Sequence, residues 1–158
     1  MAKFVLLVGV LFGMTAVVAG AFEHAVRKMI IEDTTGAAEV AGDELSDPAP
    51  NAEAAKRLSQ YETGVKYQMY HGLAMIALGL VMAFSSRGQV LGLITCLALV
   101  VGVKLFSGTL YLISAFGMTQ LVMLVPIGGT IMILGWILFL ITVLLFDPLI
   151  DKEDLETT

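Results

Sequence analysis

Residues 90–116 read VLGLITCLALVVGVKLFSGTLYLISAF and contain one charged side chain, Lys104. As an α-helix the stretch would be about 40 Å long, which exceeds the roughly 30 Å of hydrocarbon in a bilayer. It lacks the alternation of apolar and polar residues that a barrel strand requires, and a backbone in lipid must satisfy its own hydrogen bonds. The stretch therefore predicts a transmembrane helix.

Three similar apolar runs flank it, at residues 4–22, 67–84 and 121–146, and Asp147 and Pro148 end the last one. The links 85–89 and 117–120 are short, so successive helices should be antiparallel neighbours. The sequence thus predicts an all-α protein, an integral membrane four-helix up-down bundle with residues 1–158 forming a single domain.

The first run has a second interpretation. Lys3, the apolar residues after it and Ala19-Gly20-Ala21 also resemble a secretory signal peptide with a cleavage site. Because the run is longer than most signal-peptide cores, a retained membrane anchor is favoured.

The overall composition agrees with a membrane protein. Hydrophobic residues make up 58% of the 158 positions and charged residues 15%, outside the usual range of soluble domains. The net charge of −5 comes from acids that lie almost wholly outside the apolar runs, so no nucleic-acid surface is predicted. The single cysteine, Cys96, excludes an intramolecular disulfide.

Two polar segments complete the chain, a long acidic loop at residues 23–66 and an acidic tail at 147–158. Residues 34–50 have few large apolar side chains and predict a mobile loop. Asn51 can cap a helix that continues into the second membrane helix. The long-loop face has five Lys and Arg residues and the opposite face three, too small a difference to orient the protein.

Small residues predict where the helices touch. Gly9, Gly13, Ala16 and Gly20 recur every three or four positions on the first helix, and Gly72 and Gly79 lie seven positions apart on the second. Such spacing lets two helix backbones approach closely in a membrane.

Threading the helices up and down places their polar residues in the half of the bundle nearest the long loop. The candidate polar intramembrane site comprises His24, Gln68, Tyr70, His71, Lys104, Ser107 and Tyr111. These residues could line a small-ligand or proton pathway. The favoured alternative is that the tyrosines anchor at the interface and the other groups hydrogen-bond between helices.

Lys104 fits that alternative least well. A cation near the middle of a membrane helix needs an anion, a cavity or a route to the interface, and Glu23 and Glu62 are its possible partners.

Pro126, Gly128 and Gly129 predict a loosened or bent fourth helix. No metal and no cofactor are predicted: His24 and His71 could hold a haem or a metal, but two ligands without further spacing are a weak signal. The chain shows no catalytic triad pattern and no nucleotide fingerprint, so it is not expected to be an enzyme.

Four segments together resemble a known family. They are TGVKYQMYHGLA at 63–74, LFSGTLY at 105–111, VPIGG at 125–129 and GW at 135–136. In order and spacing they resemble the small bacterial inner-membrane proteins grouped as domain of unknown function 423, which are similar to the animal transmembrane protein 256 group. The resemblance implies a four-helix membrane protein of the inner membrane without an established activity.

The chain also departs from that family pattern. His24 follows Phe22 by two residues, where the family's Gly-Ala-Phe-Gly-Ala-His element has three, and Lys104 stands where the family usually has an apolar residue. The acidic loop is longer than typical. These differences suggest specialisation for contacting another protein.

Two alternative functions are therefore considered. The first is a non-enzymatic accessory or assembly subunit of a larger membrane complex, contacting lipid, other membrane subunits or further copies of itself, with its acidic loop and tail touching soluble partners. The second is a small transporter or ligand-binding protein that uses Gln68, His71, Lys104 and Tyr111. The first is favoured because four short helices leave little room for a solute path.

Overall fold

The protein is described by a computed structural model, which covers residues 1–35, 51–85 and 87–147. The helices are α1 (Ala2–Ala21), α2 (Glu23–Thr35), α3 (Ala52–Ala83), α4 (Gln89–Val103), α5 (Thr109–Phe116) and α6 (Leu124–Leu144). A π-helical turn, Lys104–Gly108, joins α4 to α5, and a 3₁₀ segment, Thr119–Met123, leads into α6. Most of the predicted mobile loop and acidic tail, residues 36–50 and 148–158, lies outside the described residues.

Three helical stretches are long and apolar enough to cross a membrane, namely Ala2–Ala21, Gln89–Phe116 and Thr119–Leu144. The predicted all-α membrane protein is thereby confirmed. α3 is not among the three, because charged residues occupy its first half and Gln68 and His71 follow them. The predicted crossing at residues 67–84 therefore stays a prediction.

α1 packs antiparallel to α3 between Tyr61 and Gly79. Tyr61 donates its hydroxyl to the carbonyl oxygen of Ala19 at one end, and Gly79 packs against Leu6 at the other. The third long helix, which comprises α4, the π-helical turn and α5, runs antiparallel to α3, since Gly92 packs against Met82 and Phe106 against Tyr67. α6 then packs antiparallel to that helix, since Gly102 meets Met132 while Thr95 meets Thr142.

The glycines of α1 and α3 lie where the sequence predicted a helix contact. A Cβ built at Gly9 would come within 2.7 Å of the Ile76 backbone nitrogen, and one at Gly72 within 2.9 Å of that of Gly13. Gly13 itself faces open space. The predicted small-residue contact is confirmed, and it is tightest at Gly9, Gly72 and Gly79.

The start of the predicted polar loop is a helix. Ile30 and Ile31 of α2 are buried against Ala54 of α3, so residues 23–35 gain a packing partner that the sequence analysis did not supply. The Asn51 cap is as predicted: its Oδ1 accepts a hydrogen bond from the Ala54 backbone N–H at 2.8 Å. α2 thus packs against the first turns of α3 at the long-loop end of the bundle.

Candidate functional site

Gln68 joins three helices at the polar end of the bundle. Its Nε2 donates to the Thr15 hydroxyl at 2.8 Å and to the Phe12 carbonyl oxygen at 3.2 Å, both on α1. Its Oε1 accepts from the Tyr111 hydroxyl on α5 at 3.0 Å. Both ends of the amide are therefore engaged between helices.

Tyr111 is placed by aromatic packing and by a glycine. Its ring lies 5.3 Å from that of Tyr61, and it packs so closely on α3 that a Cβ at Gly64 would come within 2.9 Å of a Tyr111 ring carbon. Its hydroxyl is therefore held towards Gln68.

His71 is buried between α3 and α6. Its Nδ1 lies 2.8 Å from the Tyr67 carbonyl oxygen, and its Nε2 accepts from the Trp136 indole N–H at 3.2 Å. The Tyr67 ring stacks on the imidazole, with 6.1 Å between the two ring centroids. Since both ring nitrogens are used inside the bundle, ligation of a haem or a metal by His71 would require breaking one of these contacts.

Lys104 occupies the first position of the π-helical turn. It is exposed, and its Nζ lies 5.4 Å from the centroid of the Phe12 ring, near the middle of α1. The amine thus points across to α1 and does not extend to the end of the bundle. A π-helical turn inserts one extra residue into a helix, and such turns often occur at functional sites.

A cavity of about 140 Å³ opens beside Lys104, between α1, α3 and the π-helical turn. Its wall includes Phe12, Thr15, Gln68, Lys104 and Tyr111. Three of the seven predicted site residues, Gln68, Lys104 and Tyr111, therefore meet around one cavity.

The predicted anions for Lys104 do not pair with it in the described part of the chain. Glu62 is 3.5 Å from Lys66, one turn further along α3, and Glu23 forms no ion pair with Lys104. Across residues 1–35, 51–85 and 87–147, Lys104 makes the contact with Phe12 and no ion pair.

The remaining predicted site residues lie elsewhere. His24 is exposed on α2, and Tyr70 is 58% exposed on the outer face of α3 with its ring near Tyr67. Ser107 is buried, and its hydroxyl has no hydrogen-bond partner within the described residues. These three side chains and that of His71, described above, do not line the cavity beside Lys104.

Pro126, Gly128 and Gly129 lie in the first turns of α6. Pro126 is the third helical residue, where a missing N–H costs little. A Cβ at Gly128 would come within 2.5 Å of the Phe106 backbone nitrogen, so this glycine is where α6 meets the π-helical turn. Gly128 therefore has a packing role, which the predicted bend did not anticipate.

The sequence analysis did not predict a contact for Arg57, which it placed in the helix capped by Asn51 and counted among the charges of the long-loop face. Its side chain is buried; Nη1 donates to Asp33 of α2 at 2.6 Å, and Nε donates to the Ser114 carbonyl oxygen at 2.9 Å. A cation at the end of α5 also suits the helix dipole. The signal was present, because Arg57 shares one helical face with the buried Ala54 and Tyr61.

Trp136, Thr15 and the π-helical turn were also missed. Trp136 is 65 residues from His71 and Thr15 is 53 from Gln68, so no local pattern links the members of either pair. No local sequence pattern predicts the π-helical turn, although its residues LFSG are part of the family-like segment at 105–111.

The fold and the site define an all-α integral membrane protein with polar residues gathered at one end of its helices. The family described as "Protein of unknown function (DUF423)" matches residues 19–129, and the chain belongs to this family. The predicted family resemblance is therefore confirmed over most of the chain, although Gly135-Trp136 lies beyond the matched residues.

Several curated bacterial proteins are similar to this chain. A "UPF0382 membrane protein" of Haemophilus influenzae is 36% identical over 83 residues, covering 52% of this chain and 64% of the relative. One of Staphylococcus epidermidis is 33% identical over 109 residues, covering 66% and 76%. The "UPF0382 inner membrane protein YgdD" of Escherichia coli is 34% identical over 80 residues, covering 51% and 60%.

The chain thus spans somewhat less than two thirds of the Haemophilus relative. No solved structure matches it.

Proposed function

We propose that the protein is a non-enzymatic accessory or assembly subunit of a larger complex in the cytoplasmic membrane of a bacterium. The observation that carries the proposal is Lys104, an exposed cation with no ion pair in the described part of the chain. At 1.5 Å per residue it lies about 22 Å along the helix from Gln89 and about 18 Å from Phe116. A cation at such a depth is costly unless it is paired.

The membrane arrangement that we propose has α3 as a fourth crossing. Residues 67–83 contain no Asp, Glu, Lys or Arg, and at 1.5 Å per residue they reach about 26 Å, close to the hydrocarbon thickness. The antiparallel contacts of α3 with α1 and with the third helix support this up-down-up-down bundle. The name of the Escherichia coli relative supports an inner-membrane location.

The hydrogen bonds of the other polar residues support a structural role. Gln68, Tyr111 and His71 make hydrogen bonds between helices, which is how polar side chains hold membrane bundles together. An enzyme or a proton pathway would instead require such groups to be available to a substrate.

A small ligand-binding protein is the second candidate, and the polar side chains in the wall of the cavity are the observation behind it. Gln68, Lys104 and Tyr111 could surround a small anion there. Such a function would place a free solute, instead of another subunit, beside Lys104.

Purification in a mild detergent followed by native mass spectrometry separates the two candidates. We expect the wild-type chain to retain a heterologous membrane subunit in fixed stoichiometry. A homo-oligomer that holds a small molecule of reproducible mass would support the second candidate and overturn the first.

A further inference from the structure

We infer that the cavity beside Lys104 receives a carboxylate from a transmembrane helix of a partner subunit. This inference rests on the proposed function and adds the chemistry of the contact. The occupant of the cavity is the side chain of an Asp or Glu in an otherwise apolar partner helix, which lies against α1 and the π-helical turn.

Charge is the first argument for this occupant. Lys104 is exposed towards the cavity and has no ion pair among the described residues, whereas its polar neighbours Gln68 and Tyr111 are already hydrogen-bonded to each other. The group in the cavity wall that lacks a counter-ion among the described residues is therefore the Lys104 ammonium. In a medium of low dielectric constant, a carboxylate offers that cation both charge and hydrogen bonds.

The size of the cavity favours a side chain over a free ligand. Small-molecule sites usually enclose about 300–1,000 Å³. The cavity here is about 140 Å³ and opens on the surface of the bundle, so it accommodates a carboxyl group and leaves the rest of the occupant outside. A partner helix supplies that remainder and closes the opening.

The surface next to the cavity allows a helix to come close. Gly108 lies one turn after Lys104 in the cavity wall, and a Cβ built on it meets no atom within 4 Å. A glycine facing open space beside a cation leaves room for a neighbouring backbone, as small residues do at membrane helix contacts. The exposed Leu11 and Val101 provide apolar surface beside it.

Dicyclohexylcarbodiimide, which partitions into membranes, tests the inference directly in native membranes. It converts a carboxyl group into an O-acylisourea. The Lys104 amine then attacks the acyl carbon, dicyclohexylurea leaves, and an isopeptide bond joins the two side chains. After proteolysis, mass spectrometry should find Lys104 joined to an Asp or Glu from an apolar segment of a different membrane protein.

Two variants sharpen the test. Lys104→Arg keeps the cation but cannot form the isopeptide, so we expect the complex to persist in native mass spectrometry without the cross-link. Lys104→Met removes the cation, and we expect both the cross-link and the complex to be lost while α-helical content stays at the wild-type value. An unfolded Lys104→Met protein would leave the Lys104→Arg result to decide.

The outcomes separate the inference from the proposed function. A cross-link from Lys104 to an acid of its own chain, to a small carboxylate or to a lipid would overturn the inference. So would an unmodified Lys104 in a complex that still contains a heterologous subunit, which would leave the proposed function standing. A wild-type protein that purifies without any heterologous subunit would overturn both the inference and the proposed function.

Discussion

Trp136 donates its indole N–H to Nε2 of His71 across 3.2 Å, while Nδ1 of the same imidazole lies 2.8 Å from the Tyr67 carbonyl oxygen. An indole can only donate, and a carbonyl oxygen can only accept. The neutral imidazole must therefore carry its proton on Nδ1, with Nε2 as the acceptor. α6 fixes the tautomer of a histidine on α3 in this way.

The tautomer can be read by ¹⁵N NMR of histidine-labelled protein in micelles. The chain has two histidines, and we expect His71 to show a protonated Nδ1 and a bare Nε2, whereas the exposed His24 serves as the internal reference. Trp136→Phe should remove the donor and cost about 1 kcal/mol of unfolding free energy. An Nε2-protonated His71 in the wild-type protein would contradict the contact.

The Gln68–Tyr111 hydrogen bond predicts coupling between two helices. Tyr111→Phe removes only the hydroxyl that donates to Gln68 Oε1 at 3.0 Å, and Gln68→Leu removes the acceptor. In a double-mutant cycle of unfolding free energies we expect a coupling of about 0.5–1.5 kcal/mol.

Tyr70→Phe is the matched control for that cycle. Tyr70 is 58% exposed, so losing its hydroxyl should change the unfolding free energy by less than about 0.5 kcal/mol and should not couple to Gln68→Leu. Equal effects of the two Tyr→Phe changes would mean that the Gln68 contact contributes nothing.

Gly128 and Gly129 should respond differently to alanine. A Cβ at Gly128 would overlap backbone atoms, 2.5 Å from the Phe106 nitrogen and 2.9 Å from the Gly102 oxygen, so α6 must move away from the π-helical turn. We expect Gly128→Ala to cost about 1–3 kcal/mol of unfolding free energy.

A Cβ at Gly129 would instead meet only the Phe106 ring, at 3.9 Å or more, which is ordinary van der Waals contact. Gly129→Ala should leave the stability unchanged or raise it by up to about 1 kcal/mol, because alanine suits a helix better than glycine does. A larger loss at Gly129 than at Gly128 would show that α6 packs in another register.

The α1–α3 contact offers a second pair of glycines. A Cβ at Gly9 would lie 2.7 Å from the Ile76 nitrogen and 2.9 Å from the Gly72 oxygen, whereas one at Gly13 meets nothing within 4 Å. Gly9→Ala should therefore separate the two helices and destabilise the protein by about 1–3 kcal/mol, with Gly13→Ala near neutral. Disulfide cross-linking rates between cysteines placed on α1 and α3 would report the separation, and equal rates in both variants would contradict it.

Much of the architecture was available from the sequence because lipid imposes a simple rule. A backbone in a bilayer must be helical to satisfy its hydrogen bonds, so long apolar runs are sufficient to predict the helices at 4–22 and 90–116. The Asn51 cap and the glycine stripe followed from equally local patterns. The helix at residues 23–35 was not predicted, since its stability depends on burying Ile30 and Ile31 against α3.

The candidate site was predicted in part. Gln68, Lys104 and Tyr111 were placed together from helix direction alone, and they meet around one cavity. His24, Tyr70, His71 and Ser107 were predicted for the same polar end of the helices, but none of them lines that cavity, because rotation about a helix axis is set by packing.

The sequence by itself determined that this is a helical membrane protein of the DUF423 family with polar residues gathered towards one end. The tertiary structure decided which of those residues are satisfied. Gln68 and His71 find partners more than 50 residues away, and the π-helical turn leaves Lys104 exposed beside an open cavity. The reason is that burial and pairing depend on how neighbouring helices are rotated and spaced, which no local run of residues specifies.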